Sequence, residues 1–133
     1  MQPVASAARF IREQVPELGH WTDESLVGWT AHSMAQRRLI CIYDADKRAV
    51  GLGAARCLTG GVPFDDWYYH DEDGDTIYAD LAVATRPGVL KVLWAAMKKR
   101  FKPRMNIAFR RLRDERFRTY DFAPFDKHIT NGQ

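Results

Sequence analysis

The sequence contains two ionisable side chains, Asp80 and His20, at positions suited to acid–base chemistry. Asp80 interrupts the apolar run 76–85, and a carboxylate in such a strand has to be paired, hydrogen-bonded or held at a shifted pKa. His20 precedes Trp21 and the start of a predicted helix, where an imidazole has a fixed position and a tunable pKa. Both are candidates for general acid–base chemistry. The sequence leaves two alternatives open: Asp80 facing solvent at a strand end, and a structural role for His20.

A glycine-bearing turn, Arg86-Pro87-Gly88, connects this apolar strand to the next predicted helix. The first amides of a helix have no partner within the helix, and the helix dipole adds partial positive charge there, so such a turn can bind an anion. Phosphates of a cofactor would rest on Gly88 and Val89, and Arg86 and Lys91 would add charge. The alternative is an ordinary strand-to-helix turn, which also favours glycine and proline.

The remaining reactive side chains form no recognisable site. The four histidines and two cysteines match no zinc spacing, and the chain has neither a G-x-x-x-x-G-K-[ST] run nor a G-x-S-x-G run. We therefore expect no metal. Cys41 and Cys57 lie in predicted strands and are expected to be buried thiols, with a disulfide across a hairpin as the alternative.

Charge is distributed unevenly, although the net charge is only +3. An acidic segment contains Asp65, Asp66, Asp71, Glu72, Asp73 and Asp75. A basic region contains Lys98, Lys99, Arg100, Lys102, Arg104, Arg110, Arg111, Arg113, Arg116 and Arg118. This asymmetry indicates an anionic partner at the basic region. A solvated basic face that the acidic segment balances is the alternative.

The elements that must position these residues follow from apolar periodicity. Helices are predicted at 3–14, from Thr22 or Asp23 to 36–38, and at 89–101, and strands at 38–43, 49–58, 76–85, 104–111 and 116–122, with a turn at 112–115. The order is α-α-β-β-β-α-β-β, which predicts an α+β fold with a mixed, mostly antiparallel sheet flanked by helices. Residues 1–125 are expected to form a single domain, and residues 126–133 a frayed tail.

Two segments between or within these elements are unusual. The strand at 49–58 contains Gly51, Gly53 and Ala54, and such small residues let another backbone, a helix or a ligand approach closely. The long polar segment 59–75 is of a length typical of functional or mobile loops. No apolar run approaches the ~20 residues that a membrane span needs, and no secretory signal is evident, so we expect a cytoplasmic protein.

The order of elements resembles the GNAT superfamily of acyl-CoA-dependent N-acyltransferases, in which the turn at the position of residues 86–91 holds the pyrophosphate. The chain is also similar, over roughly His20 to Phe122, to the toxin-activating (hemolysin-activating) lysine acyltransferases. The segments that carry this similarity are His20-Trp21, the strand at 38–43, Tyr78-Ala79-Asp80-Leu81-Ala82, Lys98-Lys99-Arg100-Phe101-Lys102-Pro103 and Ile107-Ala108-Phe109-Arg110.

The resemblance implies an acyltransferase that moves an acyl group from a thioester donor, acyl carrier protein or CoA, to an amine such as a protein lysine. It implies that His20 and Asp80 are catalytic and that Arg86, Gly88, Val89 and Lys91 hold the donor. The groove beside Gly51, Gly53 and Ala54 would take the acyl chain or pantetheine, and acyl carrier protein, which is acidic, would suit the basic region.

An alternative stays open: a relative of this fold that no longer catalyses. Such a module, for instance of phage origin, would contact nucleic acid or another protein through the region Lys98–Arg118. The sequence does not decide between an enzyme and a binding module, nor between a monomer and a homodimer.

Overall fold

The computed structural model describes residues 2–60, 66–111 and 116–131. They form the helices α1 (Pro3–Gln14), α2 (Asp23–Ala35), α3 (Val89–Phe101) and α4 (Phe122–Asn131), and the strands β1 (Leu39–Tyr43), β2 (Ala49–Leu58), β3 (Thr76–Ala84), β4 (Asn106–Arg111) and β5 (Arg116–Asp121). The α+β class is thus confirmed. Asp65, Arg113 and the predicted turn at 112–115 lie outside the described residues. No helix in the described part of the chain is both long enough and apolar enough to cross a membrane.

The five strands form one sheet in the order β1-β2-β3-β4-β5. Three neighbouring pairs are antiparallel, and the pair β3–β4 is parallel. A parallel pair needs a crossover connection, and α3 provides it. The prediction of a mixed, mostly antiparallel sheet is confirmed.

The sheet is covered on both faces, as the pattern of β2 shows. Leu52 and Ala54 pack in a core with α1 and α2, whereas Ala55 and Cys57 pack in a second core with α3 and α4. Because successive side chains of a strand point to opposite faces, a strand buried on both faces must be apolar almost throughout. This explains why β2 reads as a run of small and apolar residues.

The glycines of β2 allow α3 to lie close against the sheet. A Cβ atom built at Gly51 would overlap Cγ1 of Val89, and one built at Gly53 would lie 3.3 Å from Cδ2 of Leu93. The space that the sequence analysis assigned to an acyl groove at Gly51 is therefore filled by α3. Gly53 and Ala54, in contrast, do line a cavity.

The C-terminal segment differs from the expected frayed tail, because residues 122–131 form α4. Phe122, Phe125 and Ile129 have helical spacing and pack in the core on the α3 face of the sheet. Asp126 accepts a hydrogen bond from Nε1 of Trp94 at 2.7 Å and lies 2.8 Å from Nζ of Lys98. The eight elements predicted from the sequence thus did not include α4, which contacts with α3 stabilise.

The acidic segment contains one glycine that is essential for packing. Gly74 is buried, and a Cβ atom at this position would lie 2.6 Å from the carbonyl oxygen of Leu58. Since backbone cannot move aside as a flexible side chain can, we expect Gly74→Ala to lower the free energy of unfolding by about 1–3 kcal/mol. Urea unfolding would measure it. Gly60→Ala is the matched control, because nothing lies within 4 Å of a Cβ atom there; equal effects of the two changes would contradict the prediction.

Candidate active site

Asp80 occupies a β-bulge in β3. In the register with β2, Leu81 lies opposite Ala54 and Ala79 lies opposite Ala55. Asp80 is therefore an extra residue between two pairs. A bulge of this kind redirects a side chain and bends its strand. The charged residue that interrupts the apolar sequence of β3 thus lies at an irregularity of the backbone.

The carboxylate of Asp80 pairs with Arg56 of β2 inside the protein. Nε of Arg56 donates to both carboxylate oxygens at 3.1 Å, and Nη2 lies 3.0 Å from Oδ1. The two side chains are only 1% and 4% exposed, for Arg56 and Asp80 respectively. Nη1 of Arg56 also donates to the carbonyl oxygens of Asp66 and Tyr69. One guanidinium thus joins β2, β3 and the segment at 66–69.

The surroundings of Asp80 shift the pKa of its carboxyl group to a value near neutral pH. Burial raises its pKa to about 7, against the lowering influence of the guanidinium groups of Arg56, Arg38 and Arg110. Desolvation disfavours a charged carboxylate, and nearby cations favour it. At this pKa the group can both accept and release a proton near pH 7, which is what a general base requires.

A cavity opens where β3 and β4 separate. The two strands pair from Thr76 with Asn106 to Ala79 with Phe109, and their pairing ends there. The cavity has a volume of about 1180 Å³, and its lining is mostly apolar. Asp80 lines it directly after the last paired residue. The strands therefore part at the bulge, and Asp80 is among the residues that line the opening.

The cavity reaches residues on both faces of the sheet. Val15, after the end of α1, lines it from one face, and Leu93 and Trp94 of α3 with Phe125 of α4 line it from the other. Its polar residues include Asp80 and Arg110. A mostly apolar pocket with a few polar groups is the usual form of a small-molecule site.

Arg38 is a second buried arginine near this carboxyl. Nη2 of Arg38 lies 2.7 Å from Nε2 of His32, and its Nε and Nη1 atoms have no hydrogen-bond partner among the described residues. Burial is the main cause that lowers the pKa of Arg38, and Asp80 opposes it. Neither Arg38 nor Arg56 was among the site residues predicted from the sequence. A charge inside the apolar run of β2 was the signal that could have revealed Arg56.

His20 is exposed and lines a different depression from Asp80. Its neighbours there are Trp21, Thr22 and Tyr68, whereas the cavity lined by Asp80 does not include His20. The structure thus brings Asp80 together with Arg56, and it places His20 in a separate pocket.

The residues predicted to bind an anion before and in the first turn of α3 differ in accessibility. Arg86 is paired and Val89 is buried, whereas Gly88 and Lys91 are exposed. Nη2 of Arg86 donates to Oδ2 of Asp44 at 2.8 Å, and Val89 is buried against Gly51. Gly88 has a φ of 84° and no side chain caps α3; Lys91 is exposed. The first turn of α3 is therefore accessible at Gly88 and Lys91, while Arg86 and Val89 are held by their contacts with Asp44 and Gly51.

The acidic segment and the basic region partly neutralise each other. Glu72 lies 3.1 Å from Nη1 of Arg100 and 3.6 Å from Nη2 of Arg104. Arg100, with His70, holds the pKa of Glu72 at about 2. These pairs fix the segment at 66–75 against the end of α3. Part of the charge asymmetry is thus an internal balance.

His70 extends the hydrogen bonding of β2 beyond β1. The backbone N–H of Cys57 donates to Nδ1 of His70 at 2.9 Å, and the N–H of Asp71 donates to the carbonyl oxygen of Cys57 at 2.9 Å. Because Nδ1 accepts a hydrogen bond, Nε2 carries the proton and donates to Glu72 at 2.9 Å. Protonation of Nδ1 would break the bond to Cys57.

This geometry predicts that His70 contributes less stability in mild acid. Burial is the main cause that lowers the pKa of His70, so below about pH 6.5 the unfolded chain takes up a proton that the folded chain resists. This contribution of His70 is then lost as the pH falls through that value, whereas the raised pKa of Asp80 gives a contribution of opposite sign near pH 7. We expect urea unfolding between pH 7.5 and 5.5 to show a less unfavourable change in stability toward low pH for His70→Asn than for the wild type, since the amide oxygen of asparagine can replace Nδ1. An unchanged pH dependence in His70→Asn, equal to that of the exposed control His128→Asn, would contradict this.

Other site chemistry in the described part of the chain is limited. Cys41 and Cys57 are both free thiols, as expected, but only Cys57 is buried, and Cys41 is partly exposed. Among the described residues, no three His, Cys, Asp or Glu side chains converge to hold a metal ion. Neither the known protein-family models nor the curated proteins include a match to this chain.

Proposed function

We propose that the chain is a GNAT-like acyltransferase that moves an acyl group from a thioester donor to an amine such as a protein lysine. The observation that supports this is the apolar cavity where the strands β3 and β4 part, with Asp80 in its lining. An apolar cleft of this size suits an acyl chain. The edge of β3 that faces the gap, beyond Ala79, offers backbone groups to amides of a bound donor.

Asp80 has the position and the pKa of a general base. As the amine nitrogen bonds to the acyl carbon it loses a proton, which Asp80 would accept, and the leaving thiolate takes up a proton in turn. The guanidinium of Arg56 keeps the carboxylate in place during this exchange. His20 is the second candidate for the base, and it would act from its own pocket.

The turn before α3 would hold the donor. When bound, an acyl-CoA or acyl carrier protein thioester supplies the activated acyl group. The open space at Gly88 and the absence of a capping side chain on α3 fit a phosphate there. Lys91 would add charge, while Arg86 and Val89 would hold the turn in shape. Acyl carrier protein, being acidic, would also meet the basic residues that follow Lys98. The free thiols are consistent with the cytoplasm as the compartment.

A cavity-blocking variant tests the proposal. We expect the wild-type chain to transfer an acyl group from acyl-CoA or acyl carrier protein to a lysine peptide, detected by mass spectrometry. Ala82 is exposed and lines the cavity, whereas Ala95 is exposed and does not. Ala82→Phe should lower the transfer rate at least tenfold, corresponding to about 1.4 kcal/mol or more, and Ala95→Phe should not. No transfer by the wild type from either donor, or equal rates in the two variants, would contradict the proposal.

A second candidate is the non-catalytic GNAT-like module, for instance of phage origin, that contacts nucleic acid or protein through Lys98–Arg118. Its support is the ion pair of Asp80 with Arg56, which gives the carboxylate a structural role, and the exposure of Lys99, Lys102 and Arg116. Binding to nucleic acid that weakens steeply with salt would favour it, since each neutralised phosphate releases counterions. Weak binding at low salt would count against it.

A further inference from the structure

A cluster of tryptophans surrounds a depression of about 500 Å³ at the start of α2. The rings of Trp21, Trp29 and Trp67 meet edge to face, with centroids 5.0–5.9 Å apart. Trp29 is fully buried, whereas Trp21 and Trp67 are partly exposed, and Tyr68 beside them is 49% exposed. Partly open aromatic rings around one depression, which we call the tryptophan pocket, leave π faces available to a ligand.

The charges at the tryptophan pocket favour a cation. Asp66 lines it, is exposed, and uses Oδ1 to accept the backbone N–H of Tyr68 at 3.1 Å. One amide at the start of α2 is already occupied, because Oγ1 of Thr22 accepts the N–H of Ser25 at 3.0 Å. Acidic residues in the first turn of α2, Asp23 and Glu24, offset the helix dipole.

Two buried side chains, those of Trp29 and Arg56, form hydrogen bonds to the backbone of residues that line the tryptophan pocket. Nε1 of Trp29 donates to the carbonyl oxygen of Trp67 at 3.1 Å, and Arg56 donates to the carbonyl oxygen of Asp66. The ring of Tyr68 lies 5.0 Å from that of His32. These hydrogen bonds fix the backbone at Asp66 and Trp67, so little backbone conformational entropy would be lost when a ligand binds.

We propose that the tryptophan pocket binds an alkylammonium group. The cation lies against the faces of Trp21, Trp67 and Tyr68, and the carboxylate of Asp66 is its counter-ion. The group can come from a free quaternary amine or from a lysine side chain, plain or methylated. This inference does not rest on Asp80 as the base, since the tryptophan pocket and the cavity at Asp80 share no lining residue; His20, the second candidate base, does line the tryptophan pocket.

Tryptophan fluorescence of the full chain tests the proposal. Trp94→Phe removes the one tryptophan outside the cluster, so the emission then reports on the tryptophan pocket. Titration with tetramethylammonium, Nα-acetyl-lysine amide and its trimethylated form, at constant ionic strength, distinguishes the sources of the cation. We expect at least one of the three to give a saturable change. The neutral isostere 3,3-dimethylbutanol should bind more weakly by roughly threefold to tenfold.

Variants in the same background identify the groups responsible. Asp66→Asn and Tyr68→Leu should each weaken binding by roughly threefold to tenfold. Tyr69→Leu is the matched control, because Tyr69 is 39% exposed and does not line the tryptophan pocket. No saturation with any of the ammonium compounds, equal binding of the neutral isostere, or an unchanged affinity in Asp66→Asn would overturn the proposal. Thermal melting of each variant verifies that it is folded.

Discussion

Replacing Arg56 by leucine is expected to lower the free energy of unfolding by about 3–5 kcal/mol at pH 8, the usual loss when one member of a buried ion pair is removed. Asp80 would then be a buried carboxylate without its cation, and the carbonyl oxygens of Asp66 and Tyr69 would lose a donor. The pKa of Asp80 is already raised to about 7, so protonation can relieve part of the loss. We therefore expect the effect to be smaller at pH 6 than at pH 8 in urea unfolding.

Two control variants test whether the loss of stability in Arg56→Leu comes from a buried unpaired carboxylate or from the removal of a positive charge alone. Arg48→Leu breaks a surface pair, Arg48 with Asp46 at 3.9 Å, whose side chains are both 75% exposed, and it should cost less than about 1 kcal/mol. Arg56→Leu combined with Asp80→Leu removes both charges and should recover much of the stability that Arg56→Leu loses. Equal losses for Arg56→Leu and Arg48→Leu, or the same loss at pH 6 and pH 8, would argue against the buried pair.

Asp80→Asn is expected to reduce acyl transfer by about 10²–10⁴-fold, the usual contribution of a general base. Asparagine keeps the shape of the side chain but cannot accept the proton. In the wild type, the rate should rise with pH through about 7, because burial raises the pKa of Asp80 to about that value and only the ionised form is a base. The measurement is the initial rate of transfer to a lysine peptide between pH 5.5 and 8.5.

The same assay decides between the two candidate bases. Asp80→Asn also leaves Arg56 without its counter-ion, so rates are compared at a temperature at which circular dichroism shows the variant to be folded. His20→Ala, at an exposed position, should leave the rise in rate near pH 7 intact if Asp80 is the base. Full activity of Asp80→Asn would reject Asp80, and full activity of both variants would reject the catalytic assignment altogether.

The sequence predicted the elements because their signals are local. The apolar spacing of α1, the cap at Thr22 and the apolar run of β3 all act within a few residues, and these elements lie where they were expected. The short helix α4 was missed, since Phe122, Phe125 and Ile129 gain their stability from α3 rather than from their own propensity. The same sequence would be a frayed tail without α3 to pack against and is a helix when it packs against α3.

The site was predicted in part for the same reason. Asp80 was recognisable because a charge interrupts an apolar strand, but its partner depends on the register of β2 with β3. That register contains a shift at Ala54 and Ala55, which no spacing in the sequence reveals. Arg56 and the parting of β3 from β4 are therefore properties of the assembled sheet. The separation of His20 from the cavity at Asp80 likewise depends on how α2 packs.

The bulge at Asp80 has a consequence for how this chain tolerates changes in length. Ala79 and Leu81 face Ala55 and Ala54, which are neighbours on β2. If residue 80 were deleted, Leu81 would follow Ala79 directly, and every side chain of β3 would keep its present face of the sheet. Elsewhere in a strand, a single-residue deletion turns all later side chains over. The register of β3 with β2 would therefore survive the loss of residue 80, while Arg56 would be left without the carboxylate that it pairs with.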